Sequence, residues 1–188
     1  MKRIIQTLLS PAICAVLLAC SRVHSSSNLD AAQIRTKLDA IPFDQEVHLT
    51  NGEWQVIMSP QQFFVMRRAG TEAPSLSGNA VDQRKGVYVC SACSNPLYSA
   101  DTKFNSGTGW PSFWQPIRKE AVHEHSTISA IFGREISCAR CGSHLGHVFN
   151  DGPPPTGLRY CMNAIALSYR EASPGSATVL LRGDQNRP

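Results

Sequence analysis

Four cysteines fall in two C-x2-C pairs, Cys90 with Cys93 in "CSAC" and Cys138 with Cys141 in "CARC", with 44 residues between the pairs. A C-x2-C turn after a strand folds two thiolates toward one point. Two such turns offer four sulfurs at tetrahedral angles, a donor set suited to Zn²⁺. With cysteine at all four positions no place is left for water, so the expected ion, one per chain, is structural and not a Lewis acid. The gap exceeds that of local zinc knuckles, so the fold has to bring the turns together. Disulfides or a redox C-x-x-C form the competing reading. A redox pair belongs at a helix N-terminus, whereas both pairs here follow β-like runs, "VYVC" and "REISC", which favours zinc.

Seven cysteines are present, and Cys161, in "GLRYCMN", has no neighbouring partner. Alternate side chains of a strand share a face, so Arg159, Cys161 and Asn163 are expected to project together. A nearby guanidinium favours a thiolate, and an amide can orient polar substrate atoms. Just upstream, "GSHLGHVFNDG" places His144 and His147 in a glycine-broken turn, followed by Phe149 and Asp151. "SGTGWPSFW" presents Trp110, Phe113 and Trp114 from a glycine-rich turn, at least one of them a core aromatic. Other readings stay open on residues alone. A lone cysteine is commonly a small buried hydrophobe. Cys161 with His144 or His147 as base could form an acyl-enzyme, although no oxyanion turn is readable near it. A zinc-ribbon binding module would need no chemistry at all, and a periplasmic disulfide oxidoreductase would use the C-x-x-C pairs.

The elements that must position these residues are mainly short strands. Leu29, Ile34, Leu38 and Ile41 recur at helical spacing up to Pro42. "SPQQFFVMRRAG" predicts a helix with Ser59 as N-cap, Pro60 at its first position, Arg67 and Arg68 in its last turn and Gly70 at the stop. Residues 71–86 read as an extended surface crossing. From residue 87 onward the β-like runs "VYVC", "TISAIFG", "REISC", "HVFN", "RYCMNAIALSY" and "ATVLLRG" are broken by turn residues. There is neither a strand–helix rhythm nor an internal repeat, so the expected class is mainly β, antiparallel, with small helices at the start.

The N-terminus reads as an export signal: "MKR", then an apolar stretch ending in "LLAC". This resembles a bacterial lipoprotein signal, with residues 1–19 removed, Cys20 lipidated, 20–28 a flexible tether and 29–188 one domain. Ser21 after Cys20 suggests, by the same resemblance, the outer membrane, with the chain on the periplasmic side. A plain cleavage site or an uncleaved anchor is the alternative, though the stretch is short and broken for a span. Cys14 falls in the removed segment. The chain carries 18 Lys and Arg against 14 Asp and Glu, and losing Lys2 and Arg3 leaves 16 against 14. That balance, without basic runs among aromatics, gives no case for nucleic acid.

"GTGWPSF", "CGSHLGHVFNDGPPPTGLRYCMN" and the two C-x2-C pairs together resemble the B-type family of peptide methionine-R-sulfoxide reductases, over about Glu53 to Tyr169 and including "TEAP" and "KF". The resemblance implies two antiparallel β-sheets with a zinc site away from the reaction centre. It also implies an oxidoreductase that repairs proteins carrying methionine-R-sulfoxide under oxidative stress. Cys161 would be the nucleophile and leave as sulfenic acid. His144 and His147 would be the proton donors. Arg159 and Asp151 would tune the thiol, Asn163 would hydrogen-bond in the pocket, and Trp110 with Phe149 would wall the substrate methyl. Many members carry a resolving cysteine where this chain has Thr108. The resemblance therefore implies recycling by a thioredoxin-like or other external thiol reductant.

Overall fold

A computed structural model describes residues 30–75, 85–126 and 133–172. The signal, Cys20, the tether and the runs expected over 127–132 and 177–183 lie outside the described residues.

Three short helices lead the fold, and each begins with the same local device. α1 (Ala31–Asp39) starts at Asp30, α2 (Asn51–Ile57) at Thr50 and α3 (Pro60–Arg67) at Ser59. In each, the cap side chain accepts the backbone N–H three residues on, and Gln33, Glu53 or Gln62 reaches back to the cap's own N–H. These reciprocal bonds satisfy donors that a helix start otherwise leaves unpaired. α1 ends at Asp39 and α3 at Arg67, with Arg68 as its cap and not in its last turn. α2 was not foreseen, although Thr50-x-x-Glu53 is a capping-box pattern.

The strands are β1 (Gly86–Cys90), β2 (Pro96–Ser99), β3 (Lys103–Phe104), β4 (Ser112–Phe113), β5 (Val122–His125), β6 (Arg134–Cys138), β7 (His144–Phe149), β8 (Arg159–Met162) and β9 (Leu167–Glu171). They form a three-stranded sheet, β2-β1-β9, and a six-stranded sheet, β3-β4-β8-β7-β6-β5. Every pairing is antiparallel. The mainly β expectation with two antiparallel sheets is met. Two local readings are corrected. His144 and His147 lie within β7, not in a turn, and the run 159–169 is broken by a 3-10 turn at Ala164–Ala166 that carries the chain from one sheet to the other.

Period-two alternation sorts the larger sheet into two faces. Ile136, Val148, Tyr160, Met162 and Phe113 are buried on one. Against them stand aromatics of the smaller sheet: the Tyr98 ring stacks on Phe113 at 4.4 Å, and Tyr88 meets Phe113 edge-on at 5.0 Å. Phe113 is fully buried, so truncating it to alanine would cost about 3–5 kcal/mol. The opposite face carries Glu135, His147, Arg159, Cys161 and Ser112, whose cross-strand register brings them side by side.

Candidate functional site

Cys161 stands in the middle of that polar face. Its cross-strand partners are Ser112 on β4 and His147 on β7, and directly opposed residues project to the same side. The backbones of β7 and β8 come close here because position 146 is glycine: a Cβ there would lie 2.2 Å from the Cys161 carbonyl oxygen. Arg159, two residues before the thiol, sits on the same face. Its guanidinium lies 4.4 Å from the Phe149 ring centroid and donates twice to Asp151, Nε to Oδ1 at 2.9 Å and Nη2 to Oδ2 at 2.8 Å. Phe149 therefore stacks under the arginine, a contact the sequence reading did not assign to it. The same ion pair holds the Asp151 carboxyl below its ordinary range.

Two histidines three residues apart would face opposite sides of a regular strand. Here the register slips between Ile136 and Ser137, so that Ser137 pairs with His144 and Ile136 with Gly146, leaving Leu145 as an extra residue. Such a bulge re-aims side chains. It brings the His144 and His147 rings to 5.2 Å between centroids. His144 is 4% exposed and bonds the Glu135 carboxylate through Nδ1 at 2.7 Å. That bond places the Nδ1 proton toward the carboxylate and leaves Nε2 facing inward, buried and without a hydrogen-bond partner among the described residues. Burial, and then the charge of His144, lower the pKa of His147, while Glu135 opposes them. His147 is accordingly neutral at neutral pH, able to take a proton. Glu135 is a site residue that sequence reasoning missed. Its place in "REISC" shows only after β6 and β7 are paired.

Burial pushes the Cys161 thiol up, and Arg159, Thr108 and Ser112 counteract without cancelling it. The expected thiolate-favouring arginine is present, but much of its charge is engaged by Asp151, and desolvation wins.

Asn163 lies one residue past the end of β8 and is buried. Its Nδ2 donates to the Leu145 carbonyl at 3.1 Å and its Oδ1 accepts from Glu72 N–H at 3.0 Å. In this structure it ties the thiol strand to β7 and to the strap over residues 71–75. Glu72 is the hub of that strap. Its carboxylate accepts the N–H groups of Ala164 and Ile165, and its carbonyl accepts from Trp110 Nε1 at 3.2 Å. Ser75 N–H donates to the Gly109 carbonyl at 2.8 Å. Gly109, at φ +89°, has Pro74 so close that a Cβ would approach it to 2.7 Å. The strap thus holds the turn that presents Trp110. Nothing within "TEAP" itself marks Glu72 for this role, which arises only where the strap crosses the turn after Asn163.

The two C-x2-C turns converge as expected. The sulfurs of Cys90, Cys93, Cys138 and Cys141 all lie within 4.8 Å of one another, and all four residues are buried. Cys90 Sγ to Cys141 Sγ is 3.8 Å and Cys93 Sγ to Cys138 Sγ is 3.6 Å, too far for S–S bonds of about 2.05 Å. A tetrahedron with metal–sulfur bonds of about 2.3 Å has edges of about 3.8 Å, so the cluster has the dimensions of a metal site. Hydrogen bonding to Cys138 and Cys141 holds the Cys90 and Cys93 thiols protonated, their pKa values pushed well up; a bound cation would relieve that conflict between crowded sulfurs. Two arginines brace the turns: Arg67 Nη1 donates to the Cys141 carbonyl at 3.0 Å, and Arg140 Nη1 to the Cys93 carbonyl at 2.7 Å.

Residues 58–171 match the family model described as the SelR domain. Among curated proteins, the "Peptide methionine sulfoxide reductase MsrB" of Methanosarcina barkeri is 48% identical over 131 residues, 69% of this chain and 92% of that protein. The proteins of that name from Leptospira interrogans and Pseudomonas putida KT2440 are 46% and 45% identical over 127 residues, 67% of this chain and 97% of each relative. The matched span contains Trp110, His144, His147, Arg159, Cys161 and all four clustered cysteines. On that coverage and those identities, this chain belongs to the SelR domain family of peptide methionine sulfoxide reductases, the MsrB proteins.

Proposed function

We propose that this chain reduces methionine sulfoxide in oxidised proteins, acting on the R epimer, with Cys161 as nucleophile. The observation that carries the assignment is the company of Cys161. Among the described residues it is the one thiol outside the metal-type cluster, and His147, Ser112 and Arg159 share its face. Neutral His147 takes the thiol proton, and Sγ attacks the sulfoxide sulfur. The protonated imidazole returns the proton to the sulfoxide oxygen as the S–O bond breaks. The oxygen passes to Sγ as the Sγ–S bond formed in the attack breaks and the thioether departs: one thiol and one sulfoxide become one sulfenic acid and one thioether. Glu135 fixes the His144 ring, which packs edge-on against His147, so that His144 acts by positioning the imidazole that carries the proton. Trp110 and Phe149 supply the apolar wall, and Asn163 holds the strand end.

An external thiol then attacks Sγ with loss of water, and a second thiol releases Cys161 and leaves as disulfide. The four-cysteine cluster, in this proposal, holds one structural Zn²⁺, the ion that four thiolates at these separations suit best; it joins the turns after β1 and β6 and takes no part in the chemistry. Export with a lipid anchor at Cys20, facing the periplasm, is supported by "LLAC" at the end of the apolar leader. The mass of the mature N-terminus tests it, a lipid-modified Cys20 as the first residue being the expected result. Among the described residues no helix is long and apolar enough to cross a membrane.

The central test is an assay on a peptide with resolved R and S epimers and a dithiol, with Cys161→Ser beside the native chain. Turnover of the R epimer that the serine variant abolishes is expected. Turnover of the S epimer alone, or undiminished activity in the variant, would overturn the proposal.

A further inference from the structure

Cys161 is joined to a line of hydroxyl groups that nothing in the reaction above employs. Thr108 Oγ1 lies 4.0 Å from Cys161 Sγ, at hydrogen-bonding range for sulfur. Ser106 Oγ is 2.8 Å from Thr108 Oγ1 and 2.8 Å from Ser112 Oγ. Ser112, fully buried, donates to the Trp110 carbonyl at 3.2 Å. The line therefore runs from the sulfur through three hydroxyls to one backbone acceptor.

Counting protons shows what such a line can do. When Cys161 is a thiol, one arrangement open to the line has its S–H toward Thr108, Thr108 donating to Ser106, Ser106 to Ser112, and Ser112 to the Trp110 carbonyl. Every donor is used. When the sulfur loses its proton, each hydroxyl can turn: Ser112 donates to Ser106, Ser106 to Thr108, and Thr108 to the anion. A carbonyl cannot reverse in this way, and a lone hydroxyl would gain no support from neighbours polarised in the same sense.

We propose that Thr108, Ser106 and Ser112 form a reversible donor line that stabilises the anionic forms of Cys161, both the attacking thiolate and the oxygen-bearing sulfenate that follows. This rests on the reading of Cys161 as the nucleophile, and it adds three positioning residues to it. Other charged or titratable groups face the sulfur as well: Arg159 on its own strand, paired with Asp151, and His147 from β7, with His144 and Glu135 behind it. Arg159 supplies a fixed cation beside the sulfur while paired with Asp151, and the histidines handle the transferred proton; the hydroxyl line adds donors that can turn as the charge moves. The other four thiols among the described residues lie in the metal-type cluster, and on the proposed reading Cys14 is removed and Cys20 lipidated, so the sulfenate has to persist until an outside thiol arrives. A donor that follows the charge onto the new oxygen serves that wait.

The test uses the full chain and two readouts. The first is the rate of iodoacetamide alkylation at Cys161 at neutral pH, followed by peptide mass. The second is the lifetime of the sulfenic acid, trapped with dimedone after stoichiometric hydrogen peroxide, which converts thiol to sulfenic acid with release of water. Neither readout requires sulfoxide turnover, so failure of the reductase assignment and failure of the donor line are distinguishable. Thr108→Val keeps the shape and removes the hydroxyl. It should slow alkylation and shorten the sulfenate lifetime about tenfold, the ratio expected for one hydrogen bond to an anion. Thr108→Ser should restore both. Ser106→Ala, which leaves Thr108 in place, should move both in the direction of Thr108→Val. Native behaviour in Thr108→Val or in Ser106→Ala, or failure of Thr108→Ser to restore it, would overturn the proposal.

Discussion

Glu72→Ala removes the carboxylate that accepts the backbone N–H groups of Ala164 and Ile165. The turn these residues form joins β8 to β9, and Glu72 also bonds Asn163 and Trp110 through its backbone. Hydrogen bonds to a charged acceptor are worth about 1.5–3 kcal/mol each when well made. Solvent access to a half-buried carboxylate reduces that, so the pair contributes about 2 kcal/mol. For a domain of this size the expected fall in melting temperature is about 6 °C. The same change frees the strap that holds the Trp110 turn, so KM for a sulfoxide peptide should rise. Alkylation of Cys161 should stay near native, because the groups beside the sulfur are untouched. Calorimetry, steady-state kinetics and alkylation rates on the native and variant chains check the three expectations. A melting temperature within about 1 °C of native, together with an unchanged KM, would refute the assignment of the strap as the clamp.

Metal analysis of the native chain should give about one zinc ion, and its removal by a strong chelator should unfold the domain. The binding energy of a four-thiolate site, about 10–16 kcal/mol, is as large as the whole stability of a typical domain; circular dichroism with and without chelator checks this. Glu53, bonded first to Lys37 and then to Thr50, has its carboxyl lowered from an ordinary value of 4.5 to about 2. Its contribution is fully present above pH 4.5 and is lost as pH falls through about 2, so Glu53→Gln should flatten the acid limb between those values in a titration followed by the fluorescence of buried Trp54. Arg159→Met should slow alkylation of Cys161 about tenfold by removing the neighbouring cation. Asp151→Asn should speed it by releasing that cation from its carboxylate, and effects of the same sign in both variants would contradict the account of the thiol's environment.

Features set by neighbours in the chain were legible without the fold. The start of α3 at Ser59 and Pro60, the two C-x2-C turns and the shared face of Arg159 and Cys161 follow from capping, turn geometry and period-two alternation. The box at Thr50 and Glu53 was equally local and was overlooked. What depended on pairing between distant segments was not legible. Whether His144 and His147 face one side turns on the extra residue at Leu145, which appears only when β6 and β7 are in register. Glu135 meets His144, Glu72 meets the turn after Asn163, and Ser106 joins Ser112 to Thr108 beside Cys161, each through a hydrogen bond that backbone register or a loop crossing creates. Residue types and their spacing along the chain determined which chemistry was available: a thiol, two imidazoles, a guanidinium and four metal-type sulfurs. The tertiary structure decided how that chemistry is held. Hydrogen-bond direction, desolvation and the sign of the shift at Cys161 depend on which groups the sheets place within a few ångströms of one another, and sequence distance does not encode that.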